Sequence, residues 1–89
     1  MIDVKIIIPR ELTLFEIVDI GEKFIIETKD EKANIIEVDL GLCQCLDSSG
    51  LGFLIYLRAR SNVMKLQNVS ENMAKTFKVY GAYDLLCGS

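Results

Sequence analysis

The chain has 89 residues, of which 51% are hydrophobic and 26% are charged, and these values predict a single globular domain over residues 1–89. Its formal net charge is −3, and its lysines and arginines are scattered apart from Arg58 and Arg60, so nucleic acid is not an expected partner. No stretch approaches the roughly 20 apolar residues of a membrane span and no signal-peptide pattern opens the chain, so we expect no membrane insertion and a cytoplasmic location.

The first elements are a strand and an amphipathic helix. Residues 2–8 are β-branched and apolar, which predicts a strand that Pro9 ends. Thr13 with Glu16 three positions later forms a capping box, which predicts that a helix begins at Thr13. The apolar positions that follow at helical spacing are Leu14, Ile17, Val18, Gly21, Phe24 and Ile25. We expect this helix to cover a sheet, with Gly21 permitting close approach.

Strands and helices continue to alternate along the rest of the chain. Residues 34–40 predict a second strand, a second helix runs from Ser48 or Ser49 to Arg60, and residues 63–67 predict a third strand. Ser70 is the expected N-cap of a third helix, and Gly81 its C-cap. This order predicts an α/β fold with a small, mainly parallel sheet, alternating helices and right-handed crossovers.

The turn Asp47-Ser48-Ser49-Gly50-Leu51-Gly52 lies where the second strand leads into the second helix. Ligand sites of open α/β sheets gather at this carboxyl edge, and glycines let another molecule approach the backbone. A serine here can cap the helix, act as a nucleophile or accept a phosphate.

Catalysis is the least favoured of these three roles. The chain contains no histidine, so a Ser-His-Asp triad is impossible, and neither Ser-x-x-Lys nor a Walker loop occurs. Without histidine, the Cys43-x-Cys45 pair does not complete a four-ligand zinc site. We therefore predict no catalytic residue, no cofactor and no metal, and expect Cys43, Cys45 and Cys87 to be small buried side chains.

The segment from Ile35 to Leu86 resembles a STAS domain, the fold of bacterial anti-sigma-factor antagonists. The resemblance lies in residues 36–40 running into 43–52, in residues 65–70 and in residues 79–86. Residues 10–13, Arg-Glu-Leu-Thr, occupy the place where members commonly carry a Gly-x-Leu-Asp-like segment.

The resemblance implies a phosphorylation switch at the turn. The serine directly after the aspartate, here Ser48, is expected to be phosphorylated by an anti-sigma-factor serine kinase, and a PP2C-type phosphatase resets it. The unphosphorylated chain is expected to bind the anti-sigma factor. The environment of the phosphorylation site is then Asp47, Ser49, Gly50 and Gly52.

The helix after the turn carries the predicted partner-binding residues. We expect Leu51, Leu54 and Ile55 to reach the core, while Phe53, Tyr56 and Arg60 lie on another stripe. Because aromatic residues and arginine dominate binding hot spots, these three are interpreted as interface anchors. A nearly all-apolar helix can equally be fully buried.

Two other functions are compatible with the same residues. The chain can be a docking or scaffold subunit of another system, such as a lipid-transport ATPase or a stress-signalling complex, with Ser48 only a helix cap. It can also sense a nucleotide or small ligand at the strand-to-helix edge, although the turn contains no basic residue to hold a phosphate.

Overall fold

A computed structural model describes residues 2–88 and has the predicted α/β architecture. The elements in chain order are β1 (Asp3–Ile7), β2 (Glu11–Leu12), α1 (Leu14–Thr28), β3 (Ala33–Asp39), β4 (Cys45–Leu46), α2 (Ser48–Ala59), β5 (Ser61–Gln67), α3 (Glu71–Val79) and α4 (Tyr83–Leu86). The two short strands β2 and β4 and the short helix α4 were not predicted from the sequence.

The main sheet is parallel, with strand order β1-β3-β5. Strand β1 pairs with β3, so that Val4 lies opposite Ile36 and Ile6 lies opposite Val38. These four side chains are buried, whereas the alternate positions of β1 are exposed. The two connections through α1 and α2 step in one direction across the sheet, and α1 contacts α2, so both helices lie on the same face. The molecule therefore has a helical layer over one face of the sheet.

The core lies between this sheet face and the helices. Its largest fully buried side chains are Ile8, Leu12, Ile36, Val38, Leu40, Leu54, Leu57 and Phe77. The predicted N-cap of α3 is confirmed, because the Ser70 hydroxyl accepts a hydrogen bond from the Met73 N–H at 3.1 Å. The C-cap of α3 is Tyr80 and not the predicted Gly81. Gly81 follows it with a φ of 71°, a conformation that favours glycine.

The prediction for the buried face of α1 is wrong for half of its positions. Phe24 and Thr28 are buried, but Leu14, Val18 and Ile25 are exposed by 64%, 60% and 44%. Apolar residues occupy more than half of α1, namely Leu14, Phe15, Ile17, Val18, Ile20, Phe24, Ile25 and Ile26. A helix lying on one layer cannot bury so wide an apolar face.

The three cysteines are free and differ in burial. Cys43 is buried, and this burial raises the pKa of its thiol. Cys87 is half-buried, whereas Cys45 is exposed, so the expectation that all three are buried is wrong for Cys45. Cys45 belongs to a two-residue strand that pairs only with β2, which leaves its side chain outside the core.

Among residues 2–88, no helix is both long and apolar enough to cross a membrane.

Candidate functional site

A short parallel strand pair brings the N-termini of α1 and α2 to one edge of the molecule. In this pair, Leu12 of β2 lies opposite Leu46 of β4. The residue after each strand is a helix N-cap: Thr13 after β2 for α1, and Asp47 after β4 for α2. Both helices therefore begin side by side, with the positive ends of their dipoles at this edge.

Asp47, and not Ser48, caps α2. The Asp47 carboxylate accepts a hydrogen bond from the Gly50 N–H at 2.9 Å, and the Asp47 carbonyl accepts one from Leu51 N–H at 3.0 Å. Ser48 and Ser49 occupy the first two helical positions and are exposed. The interpretation of Ser48 as only a helix cap is therefore wrong, because the preceding carboxylate already fills that role.

The two glycines of the turn have different surroundings. Gly50 is buried, and a Cβ at this position would lie 2.7 Å from the backbone carbonyl oxygen of Leu12. Gly50 thus lets α2 pack directly against β2, so the expectation that it opens the turn to another molecule is wrong. Gly52 is exposed, and a Cβ there would meet nothing within 4 Å. Only Gly52 leaves open space over the helix surface.

A second carboxylate lies at the same edge. Glu16 accepts hydrogen bonds from the Thr13 N–H at 3.1 Å and from the Thr13 hydroxyl, as the capping box predicts. The hydroxyl bond is the main cause that lowers the pKa of Glu16 below its usual 4.5. Residues 10–13 have no acidic residue after Leu12, but the Glu16 carboxylate is held at Thr13, the last residue of this segment. The capping-box pattern was the signal for it.

The lowered pKa of Glu16 predicts a pH-dependent contribution to stability. The pKa of Glu16 is lower in the folded chain than its ordinary value of 4.5. The stabilisation by the charged carboxylate is therefore complete above pH 4.5, and it is lost as the pH falls through the pKa that Glu16 has in the folded chain. We expect Glu16→Gln to flatten the acid-side loss of stability, measured by urea unfolding between about pH 5 and pH 3. Glu27→Gln, on the same helix, is the matched control. Parallel curves for wild type and Glu16→Gln would contradict this role.

The exposed side of α2 forms a continuous surface that begins at Ser48. Helical spacing aligns Ser48 with Gly52, Ile55 and Ala59 on one stripe, and all four are exposed. Tyr56 lies beside them and is 37% exposed. We call these five residues the α2 outer face. It offers two large apolar side chains around the open space at Gly52.

Two predictions for the packing of α2 are wrong. Phe53, expected to be partly exposed, is only 6% exposed, and Ile55, expected to reach the core, is 37% exposed. Phe53 turns toward α1. Its ring also stacks on that of Tyr56, a neighbour on α2, with the ring centroids 6.0 Å apart. Tyr56 also meets Phe24 of α1 edge-on at 6.2 Å. The helix buries Phe53 because α1 packs on that side.

Arg60 already has an intramolecular partner. Its guanidinium donates to the backbone carbonyl of Asp30 at 2.6 Å, and lies 3.4 Å from the Asp30 carboxylate. Arg60 therefore joins the end of α2 to the turn after α1. This contact gives the residue a structural role at the end of the helix away from Ser48.

A cleft of about 540 Å³ with a mixed polar and apolar lining adjoins the start of α2. It lies between residues 43–46 and residues 70–76, with Gln44, Ser70, Asn72 and Thr76 among its lining. Arg10 donates to the Gln44 side chain at 3.0 Å. The described part of the chain contains no group of three or more His, Cys, Asp or Glu that could hold a metal ion.

Comparisons of the chain with protein-family models, with curated proteins and with solved structures found no match.

Proposed function

We propose that this chain is a cytoplasmic anti-sigma-factor antagonist of the STAS type, which acts by binding a protein rather than by catalysis. Phosphorylation of Ser48 is the switch. The observation that carries the proposal is the exposed Ser48 side chain in the first turn of α2, next to an Asp47 that already caps the helix. A kinase can therefore modify Ser48 without removing a hydrogen bond that holds α2.

The α2 outer face is the surface that the switch controls. In the unphosphorylated chain, Ile55 and Tyr56 pack against the anti-sigma factor, and Gly52 lets the partner approach the helix. These residues take the place of Phe53 and Arg60 as the proposed anchors. Aromatic side chains at the centre of such a contact contribute most of its free energy.

A phosphate on Ser48 would oppose this contact through charge and solvation. It adds about −1.5 to −2 charges at neutral pH, next to the Asp47 carboxylate that caps α2. An acidic or apolar partner surface would then face either repulsion or the cost of removing water from the phosphate. A penalty of only about 1.4 kcal/mol weakens binding tenfold.

Phosphorylation by the cognate kinase tests the proposal. The chain is incubated with its candidate anti-sigma-factor serine kinase and ATP, and the products are mapped by mass spectrometry. We expect one phosphate on Ser48, loss of modification in Ser48→Ala and its retention in Ser49→Ala. A PP2C-type phosphatase should remove the phosphate. An unmodified chain with a kinase that is otherwise active, or a phosphate on Ser49 alone, would refute the proposal.

A further inference from the structure

A second apolar surface lies between α1 and α2, and it shares Tyr56 with the α2 outer face. This α1–α2 groove has a volume of about 680 Å³, a floor formed by Gly21 and Phe53, and walls formed by Val18, Ile25, Ile26 and Tyr56. Phe15 extends the apolar surface beyond the groove and is 86% exposed. An exposed patch of this extent is uncommon on a monomer without a binding role.

The glycine in the floor of the groove is not explained by packing within the chain. A Cβ on Gly21 would lie 3.5 Å from the nearest atom, Cε1 of Phe53, which is an ordinary contact. Alanine would therefore fit, and glycine within a helix costs about 1 kcal/mol relative to alanine. Gly21 was expected to let α1 approach the sheet, but it faces α2. Its missing side chain leaves the centre of the groove open to a side chain from another molecule.

The charges on α1 indicate the chemistry of the groove's occupant. Helix α1 carries four acidic residues against one lysine, and the acids are Glu16, Asp19, Glu22 and Glu27. Glu22 lines the groove itself, and Lys23 is paired with Asp19 at 3.2 Å. A second copy of the chain would bring another acidic α1 to this place, whereas a basic partner would be attracted.

We propose that the α1–α2 groove binds an amphipathic helix of a partner protein, with lysine or arginine residues beside its apolar anchors. The apolar row from Leu14 to Ile26 extends about 18 Å along α1. About three turns of a partner helix match this length, with anchors at positions i, i+4 and i+7. One anchor enters the space above Gly21. The site does not involve Ser48 and would persist if the proposed switch were refuted.

A peptide of defined pattern tests the groove directly. The probe is a fluorescein-labelled synthetic helix of about 16 residues, with leucine at the anchor positions and lysine at the flanking ones. Binding to the whole, unphosphorylated chain is measured by fluorescence anisotropy. We expect Val18→Asp to weaken binding at least tenfold, and Glu22→Lys to weaken it several-fold. The matched control is Val79→Asp, at an 83% exposed valine of α3, which should bind as wild type does.

Gly21→Gln provides a second variant, which fills the groove without adding charge. We expect it to fold, as judged by urea unfolding, and to lose the peptide. Equal binding of a peptide with glutamate in place of lysine would overturn the proposal. So would undiminished binding by both Val18→Asp and Gly21→Gln. A dimer that Val18→Asp dissociates in sedimentation equilibrium would instead assign the groove to a second copy. Binding to phosphatidylglycerol vesicles that Val18→Asp abolishes would assign it to lipid.

Discussion

Replacing Gly50 by alanine is expected to lower the free energy of unfolding by about 2 kcal/mol. The new methyl group would lie 2.7 Å from the carbonyl oxygen of Leu12, which is backbone and cannot turn away as a flexible side chain can. Overpacking costs up to about 3 kcal/mol, and alanine's better helix propensity recovers about 1 kcal/mol of this. Urea unfolding followed by circular dichroism measures the difference.

Gly52→Ala is the matched control, because it makes the same chemical change two residues further along the same helix. A Cβ on Gly52 meets nothing within 4 Å, so only the propensity gain of about 1 kcal/mol remains. We therefore expect the two variants to change stability in opposite directions. Equal effects of Gly50→Ala and Gly52→Ala would contradict the close packing of α2 on β2.

Gly52→Gln is expected to weaken binding to the proposed partner, an anti-sigma-factor kinase, by about a hundredfold while leaving the chain folded. The glutamine side chain would occupy the open space in the α2 outer face, between Ser48 and Ile55, without changing the charge. A hundredfold weaker affinity corresponds to a loss of about 2.8 kcal/mol in binding free energy. This loss is within the range measured for substitutions at binding hot spots. Isothermal titration calorimetry with the unphosphorylated chain provides the affinity.

Two controls separate blocked docking from damage to the fold. Gly52→Ala adds only a methyl group and should retain most of the affinity. Asn72→Gln changes an exposed position of α3 outside this face and should bind as wild type does. If Gly52→Gln bound the kinase as tightly as wild type, the α2 outer face would not be the partner surface.

The sequence was sufficient to predict the α/β fold and the starts of α1, α2 and α3. Thr13 with Glu16, and Ser70 before α3, are local signals that need no knowledge of distant contacts, and both were confirmed as caps. The alternation of β1, α1, β3, α2 and β5 also follows from local patterns. Strands β2 and β4 were missed because each has only two residues, too few to show a period.

The orientation of the apolar faces could not be predicted from the sequence. Helical spacing identifies residues that share a face, but α1 and α2 each have apolar residues on more than one face. Which face is buried depends on how the two helices pack on each other and on the sheet. That packing exposes Ile55 and buries Phe53 on α2, and it leaves Val18 and Ile25 of α1 outside the core.

The affinity of the Ser48-phosphorylated chain for the anti-sigma-factor kinase is the most direct test of the proposed switch. The chain is phosphorylated to completion, its single phosphate is assigned to Ser48, and its Kd is compared with that of the unmodified chain at the same ionic strength. We predict at least a tenfold weaker affinity after phosphorylation, and its recovery after phosphatase treatment. Equal affinity of the two forms would contradict the account.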